Sequence, residues 1–319
     1  MNKVECNVID AGARYGLHPS WQSAAGLANF FMFETDATEV ARLKHKYRDY
    51  PNIEVFDVAL FSVDTVLRFK ERKHRALNSY FNANKEFLSG EAYMTEELAT
   101  LREYDVQARS IDSFFAGKQI HFFKLDTEGA ELEILKGSIS QLATTVLAVR
   151  AEVPFAPIFK DTPMFGDINS YMYSHGFELL NLDYDGRGNA RSPFTMPDRY
   201  GKLMSTDAVW TISNARLFSD GRVDLRADIV RLALFLMLNS ATDVALEILL
   251  RGANEHGLAY ADLDGDPLFD DLHRRVAHLF KAVGYLPSME LSRIQDAYRT
   301  IFDREFPVLN EFYESFLFN

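Results

Sequence analysis

Four apolar runs in the first 126 residues each end on a carboxylate: Asn7-Val8-Ile9-Asp10, Phe30-Phe31-Met32-Phe33-Glu34, Ile53-Glu54-Val55-Phe56-Asp57 and His121-Phe122-Phe123-Lys124-Leu125-Asp126. Runs this short and this apolar have the character of strands buried on both faces, and the helical patterns between them supply the crossovers that parallel pairing requires. In such a sheet ligands bind beyond the carboxyl ends of the strands, where these acids fall. The expected class is α/β, with a mainly parallel sheet covered by helices.

The remaining signals extend this pattern. A short helix is expected over Ser20 to Ala28, and a helix capped by Asp36 runs to about Arg48. The third run continues through Val58, and Thr65 to Phe69 reads as a further strand of a hairpin-like excursion. Glu131 to Lys136 is a helix stopped by Gly137, Thr145 to Val153 a β-branched strand, and Ile168 to His175 a helix ended by Gly176. Phe177 to Leu182 and Ala208 to Ile212 complete the sheet. Beyond Asn214 apolar residues recur at helical spacing, in Ile229, Leu232, Ala233, Leu236 and again in Leu246, Leu249, Leu250. The expected division is a domain over 1–213 and a helical region over 214–319, which Gly252, Gly257, Gly265, Gly284 and Pro287 cut into three or four helices. Asp264-Gly265-Asp266 lacks the ligand spacing of a calcium loop and reads as a solvated turn.

At 319 residues the chain has room for one large domain or two ordinary ones, and 47% hydrophobic with 25% charged residues excludes a disordered protein. The net charge of -12 opposes phosphate polyanions, so no nucleic-acid partner is expected. The single Cys6 excludes an intrachain disulfide. No signal-peptide pattern and no apolar stretch of ~20 residues is present, which predicts a cytoplasmic protein without a membrane span.

Asp10-Ala11-Gly12-Ala13-Arg14-Tyr15-Gly16 puts an acid at a strand end and small residues in the turn after it. Gly12 and Gly16 suit a turn that lets a ligand approach the backbone, and Ala13 keeps it thin. The spacing is not GxGxxG, and a carboxylate before the turn faces the ammonium and sulfonium of S-adenosylmethionine better than a pyrophosphate. A tight turn without a ligand is the alternative. Glu34 falls where an acid can accept both hydroxyls of a ribose, or else cap the next helix. Asp57-Val58 offers an adenine-amino acceptor and an apolar wall, or simply a turn.

The stretch from His121 to Gly137, with Lys124-Leu125-Asp126-Thr127-Glu128-Gly129-Ala130-Glu131 at its centre, resembles the Lys-Ile-Asp-Val-Glu-Gly-x-Glu-x-x-Val-Leu-x-Gly signature of the FkbM family of S-adenosylmethionine-dependent methyltransferases. Asp10 to Gly16, Phe33-Glu34, Ala59-Leu60-Phe61-Ser62, Val149 to Glu152 and Gly176-Phe177 resemble further motifs of that family, in order, over residues 4 to 212. Thr35 stands where the family has proline, His18-Pro19 follows Gly16 where it has small or aromatic residues, and the sequence begins almost at the first strand, without the helix that commonly covers the cofactor. The helical region lies outside the resemblance.

The resemblance implies a Rossmann-like class I methyltransferase fold with a seven-stranded sheet, and methyl transfer to a hydroxyl of a sugar, glycan precursor or secondary metabolite. Alignment of the acceptor and a base to take its proton are the chemical needs. Asp126, Glu128 and Glu152 are the candidate carboxylates, with Asp126 first and also in the cofactor set; His18 is an alternative base. Grouped carboxylates also suit a divalent cation. Lys70-Glu71-Arg72-Lys73-His74-Arg75 either receives a phosphate or is a solvated loop, and Tyr80, Phe81, Tyr171, Tyr173 and Tyr184 either stack on a sugar or pack. Two other classes stay open: a nucleotide-sugar or nicotinamide oxidoreductase, and a non-catalytic scaffold whose helical region binds a second copy or a biosynthetic partner.

Overall fold

The computed structural model describes residues 4–91, 94–188, 201–219, 222–283 and 291–304. Ten strands are present among them: β1 Asn7–Ala11, β2 Asn29–Phe33, β3 Ile53–Phe56, β4 Ala59–Leu60, β5 Thr65–Arg72, β6 Thr100–Arg109, β7 Phe122–Leu125, β8 Ala148–Pro154, β9 Phe177–Gly188 and β10 Lys202–Ile212. Seven form one sheet in the order β3-β2-β1-β7-β8-β10-β9, and three form a second in the order β4-β6-β5. In the large sheet only β10 runs antiparallel to its neighbours. Counted within that sheet the order is that of a Rossmann fold with a last, reversed strand inserted before the edge. This is the seven-stranded, mainly parallel sheet expected from the sequence.

The order reverses between β1 and β7, and the register there sets Asp10 beside Lys124 and Ala11 beside Leu125. Phe30, Phe31, Met32 and Phe33 are all buried, as are Phe122 and Phe123, because helices and loops cover both faces. Trp21 packs on Phe30 and Phe122 with ring centroids 5.7 and 5.6 Å apart. Helix Ala37–Lys46 starts where the Asp36 carboxylate accepts from the Thr38 N–H at 3.0 Å, and Lys44, His45 and Lys46 occupy its last turn, where cations meet the free carbonyls.

Several elements differ from expectation. The helix over Ser20 to Ala28 is a single turn, Pro19–Gln22, because Asn52 Nδ2 donates to the carbonyls of Ala25 and Ala28 at 2.6 and 2.7 Å and the chain between folds into successive turns. The run over 53–58 ends as a strand at Phe56, and the strand after it, β4 Ala59–Leu60, enters the second sheet. The strand over Thr145 to Val153 begins only at Ala148, since Thr145 closes a helix over Ile139–Thr144. The excursion after β4 is a sheet of its own, with β5 antiparallel to β6 and β4 parallel to it.

By internal contacts the chain forms two compact units, Cys6–Asp220 and a second made of Met1–Glu5 with Gly221–Asn319. In the second, helices Leu225–Leu238, Thr242–His256, Pro267–Val283 and Leu291–Phe302 are present and no strand is seen among the described residues. The Val4 N–H donates to Asp266 Oδ2 at 2.7 Å and Arg231 Nε to the Glu5 carbonyl at 2.7 Å, tying the first residues to these helices. Asp266 also accepts from the amides of Leu268 and Phe269, a helix cap in the turn that the sequence marks. Gly284 and Pro287 lie outside the described residues. Among the described residues no helix is long and apolar enough to cross a membrane.

Candidate active site

Beyond the carboxyl ends of β1, β2, β7 and β8 lies a cavity of about 240 Å³. Its position at the reversal of strand order is where ligands bind in open α/β sheets. Gly12, Glu34, Val58, Asp126, Glu128 and Glu152 of the sequence-predicted residues line it. Asp10, Ala13, Gly16 and His18 do not, and Asp57 borders a separate cavity with Asp36 and Tyr104.

Gly12 shows why the turn after β1 is bare. Its φ is +76°, and a Cβ there would stand 1.7 Å from the Asp126 carbonyl oxygen. The ends of β1 and β7 therefore meet backbone to backbone under the cavity floor. Gly16 donates its N–H to the Ala13 carbonyl at 2.8 Å, and the Tyr47 hydroxyl accepts from the Leu17 N–H at 2.9 Å, so the rest of the turn is held by the chain itself.

Glu34 is 8% exposed, and its Oε1 accepts from the amides of Thr35 and Asp36 at 2.7 and 2.8 Å. Burial raises its pKa above the ordinary carboxylate value against the pull of those amides. Glu34 thus lines the cavity and holds the turn before the helix, while the helix cap itself is Asp36.

The acids after β7 and β8 converge. Asp126, Glu128 and Glu152 bring carboxylate oxygens within 4.8 Å of one another, a spacing that a divalent cation can bridge and at which each acid resists the ionisation of its neighbours. Glu128 adopts a left-handed φ of 56°, strain of a kind that clusters at functional sites. The Ser79 hydroxyl donates to its carbonyl at 2.8 Å. Glu131 is buried and its Oε1 accepts from the Thr127 N–H and hydroxyl at 2.6 and 2.8 Å, fixing the loop. The Ser205 hydroxyl donates to Glu152 Oε1 at 2.9 Å. Burial, then Glu152, Asp126 and Glu131, push Glu128 well above the ordinary range. Burial, then Asp126 and Glu131, push Glu152 up to about 8.

Sequence reasoning missed the cation behind this cluster. Lys124 Nζ lies 3.5 Å from Asp10 Oδ1 and 3.3 Å from Asp126 Oδ2. Burial works against its charge, but Asp10 and Asp126 more than offset that and raise its pKa. Asp10, 1% exposed, is thus the buried partner of Lys124, its own pKa raised by burial. A lysine inside an otherwise apolar strand was the signal. Arg150 was also missed: it pairs from β8 with Asp207 at 2.9 Å and Asp183 at 2.5 Å.

His18 caps the turn Pro19–Gln22 through Nδ1, and its Nε2 is 3.9 Å from Asp207. Burial, then Arg150 and Lys124, push its pKa down to about 4, so it is a neutral imidazole at pH 7. The basic run is committed to the fold. Lys70 donates to the Tyr80 carbonyl at 2.7 Å, Arg72 to the carbonyls of Leu98 and Phe81 at 3.1 and 2.6 Å, Lys73 pairs with Glu96 at 2.9 Å, and Arg75 with Glu71 and Asp36 at 3.2 and 3.4 Å. Of the aromatics, Tyr80 lines the cavity and packs on Phe81, with centroids 4.1 Å apart. Tyr171 packs on His175 and Tyr173 is exposed, while the Tyr184 side chain lies outside the described residues.

Comparison with known proteins places this geometry. The sequence profile of the methyltransferase FkbM domain matches residues 10–179. Among solved structures, a methyltransferase FkbM from Methylobacillus flagellatus KT is 15% identical, with a TM-score of 0.36 over 66% of this chain and 44% of that one. This chain thus spans less than half the length of that protein. An rRNA methylase from Streptococcus thermophilus is 10% identical over 66% and 89% of the two chains, TM-score 0.33. A precorrin-6y C5,15-methyltransferase from Geobacter metallireducens GS-15 is 9% identical over 66% and 82%, TM-score 0.32. Comparison with curated proteins gives no significant match. Since the profile covers more than half of the chain and takes in both the glycine turn and the acidic strand ends, the chain belongs to the FkbM methyltransferase family.

Proposed function

We propose that the chain is an S-adenosylmethionine-dependent O-methyltransferase acting on a hydroxyl of a small-molecule or glycan acceptor. The observation that carries this reading is the set of carboxyl groups around the cavity, which a cationic ligand holds in their ionised form. Glu34, Asp126, Glu128 and Glu152 line it, whereas its two arginines, Arg14 and Arg75, each lie against Asp36, at 3.3 and 3.4 Å. Such a rim favours a sulfonium and an ammonium and opposes a pyrophosphate or a polyanionic acceptor. The helix after β1 is one turn long and starts only at Pro19, which also speaks against a dinucleotide held at a helix N-terminus.

When bound, S-adenosylmethionine supplies an electrophilic methyl carbon. The chain's own part is to hold and orient. Glu34, with Oε1 fixed by two amides, accepts ribose hydroxyls through Oε2, and Val58, Ala59 and Leu60 give the base an apolar wall. Glu128 and Glu152 take the acceptor's proton, and Ser205 orients Glu152. Asp126, held by Lys124, is left to the positive end of the cofactor. That ammonium offsets part of the cluster's charge, and a proton held by the Glu128–Glu152 pair, rather than a metal ion, lowers it further.

Calorimetry should give a micromolar Kd for S-adenosylmethionine. Glu34→Ala and Glu34→Gln should each weaken binding ~10–100-fold, the worth of charge-assisted hydrogen bonds to the ribose. Absence of binding by the folded wild-type chain would refute the proposal.

A further inference from the structure

A second cavity, of about 230 Å³, shares Glu128 and Glu152 with the first. Its other walls are mainly apolar, from Leu77, Pro154, Ile158, Phe159 and Met204, with Glu131 and Ser205 as the further polar side chains of note. No lysine or arginine lines it among the described residues. The two cavities therefore meet at the paired carboxylates and differ in chemistry: the first mixes acidic and apolar walls, and the second is mainly apolar.

The loop after β8, which supplies Ile158, Phe159 and Thr162 to the wall, is fastened to the excursion between β5 and β6, which supplies Leu77. Ala83 bridges to Phe159 in antiparallel fashion, the Asn84 N–H donates to the Ile158 carbonyl at 2.8 Å, and the Lys160 N–H donates to the Asn82 carbonyl at 2.8 Å. Behind it Phe159 packs with Leu88 and Leu98, against which Leu77, Phe81 and Phe87 lie. A wall fastened by backbone pairing and backed by its own apolar cluster is a preformed pocket, and little ordering is left for a ligand to offset.

We propose that this chamber is the acceptor site, and that it takes a neutral hydroxyl compound, or the neutral end group of a larger one, whose apolar body faces Leu77, Ile158, Phe159 and Met204 while its hydroxyl meets Glu128 and Glu152. The inference rests on the methyltransferase reading for its purpose but not for its chemistry. Carboxyl groups and no cation among the described lining residues disfavour a phosphorylated or nucleic-acid acceptor in this chamber, because a phosphate there finds no counter-charge. Its volume, below the ~300–1,000 Å³ of pockets for drug-sized ligands, limits what can enter to a single ring or a short chain.

The test uses cyclohexanol and cyclohexyl phosphate as probes, read by saturation-transfer NMR on the full chain, with S-adenosylmethionine binding measured in parallel. Cyclohexanol should give a signal and the phosphate ester none. Leu77→Trp and Ile158→Trp, which fill the chamber from two sides, should each remove the cyclohexanol signal while the Kd for S-adenosylmethionine stays within twofold, since neither residue lines the first cavity. A phosphate ester that binds as well as the alcohol, or an alcohol signal that survives in both folded variants, overturns the acceptor assignment. Loss of cofactor binding in the wild type, with the alcohol signal intact, would instead overturn the methyltransferase reading and leave the pocket standing.

Discussion

Gly12→Ala is expected to cost the fold on the order of 3–5 kcal/mol, a large share of the ~5–15 kcal/mol that holds an ordinary domain together. Two effects add. An alanine at φ +76° incurs the ~1–2 kcal/mol of a left-handed L-residue. Its methyl group would also stand 1.7 Å from the Asp126 carbonyl oxygen and 2.7 Å from the carbonyl carbon, and backbone atoms at that range cannot rotate away. Relief requires the ends of β1 and β7 to part, which is overpacking against a buried pairing of the sheet. Gly117→Ala separates the two contributions, because Gly117 has a φ of +80° but open space around its Cβ position. It should lose only ~1–2 kcal/mol. Urea unfolding of both variants measures the difference, and equal losses would show that the contact with Asp126 carries no weight.

That contact also marks the border of what the residues alone reveal. Strand ends in the first unit are legible because each apolar run is too short for a helix and stops at an acid, which by itself puts Asp10, Glu34 and Asp126 at one rim. What a rim residue faces is a matter of strand order. Asp10 and Lys124 are 114 positions apart and become a buried pair only through the parallel register of β1 with β7. The same holds for Glu128 and Glu152, which meet because β7 and β8 are neighbours. Strand β6 escaped notice for a different reason: Thr100 to Arg109 is charged at Arg102, Glu103, Asp105 and Arg109, and only Val106 and Ala108 are buried, so it lacks the apolar signature of the main sheet. The helix expected over Ser20 to Ala28 failed on a side chain from elsewhere, since Asn52 claims two of its carbonyls. Glu34 does not cap the next helix, a role that falls to Asp36; one of its oxygens holds the turn between them and leaves the other for the cavity.

Glu152→Gln is expected to lower the methyl-transfer rate ~10²–10⁴-fold with any acceptor turned over, the usual worth of a positioned general base. The wild-type kcat/KM should rise with pH toward a plateau above about 8, because the free enzyme holds Glu152 at that value and only the ionised carboxylate accepts a proton. The apparent value belongs to Glu128 and Glu152 together, since the loss of the first proton puts a charge beside the second. A sulfonium in the first cavity favours the ionised pair, so the kcat profile should be displaced to lower pH than that of kcat/KM, and cofactor binding at pH 7 should release protons that calorimetry detects in buffers of different ionisation enthalpy. Stability gives an independent reading that needs no acceptor. The folded chain holds this proton more tightly than the unfolded one, whose carboxyl titrates near the ordinary value of 4.5. The stability it contributes is therefore complete below that value and is lost as pH rises toward about 8. Glutamine cannot ionise, so Glu152→Gln should gain on the wild type in urea midpoint between pH 5 and pH 9, while its proton release on cofactor binding shrinks. The same reading expects turnover to survive a chelator, because Lys124 and a proton held by the Glu128–Glu152 pair offset part of the charge of the three acids. A glutamine variant with wild-type turnover and an unchanged pH dependence of stability would remove Glu152 from the chemistry.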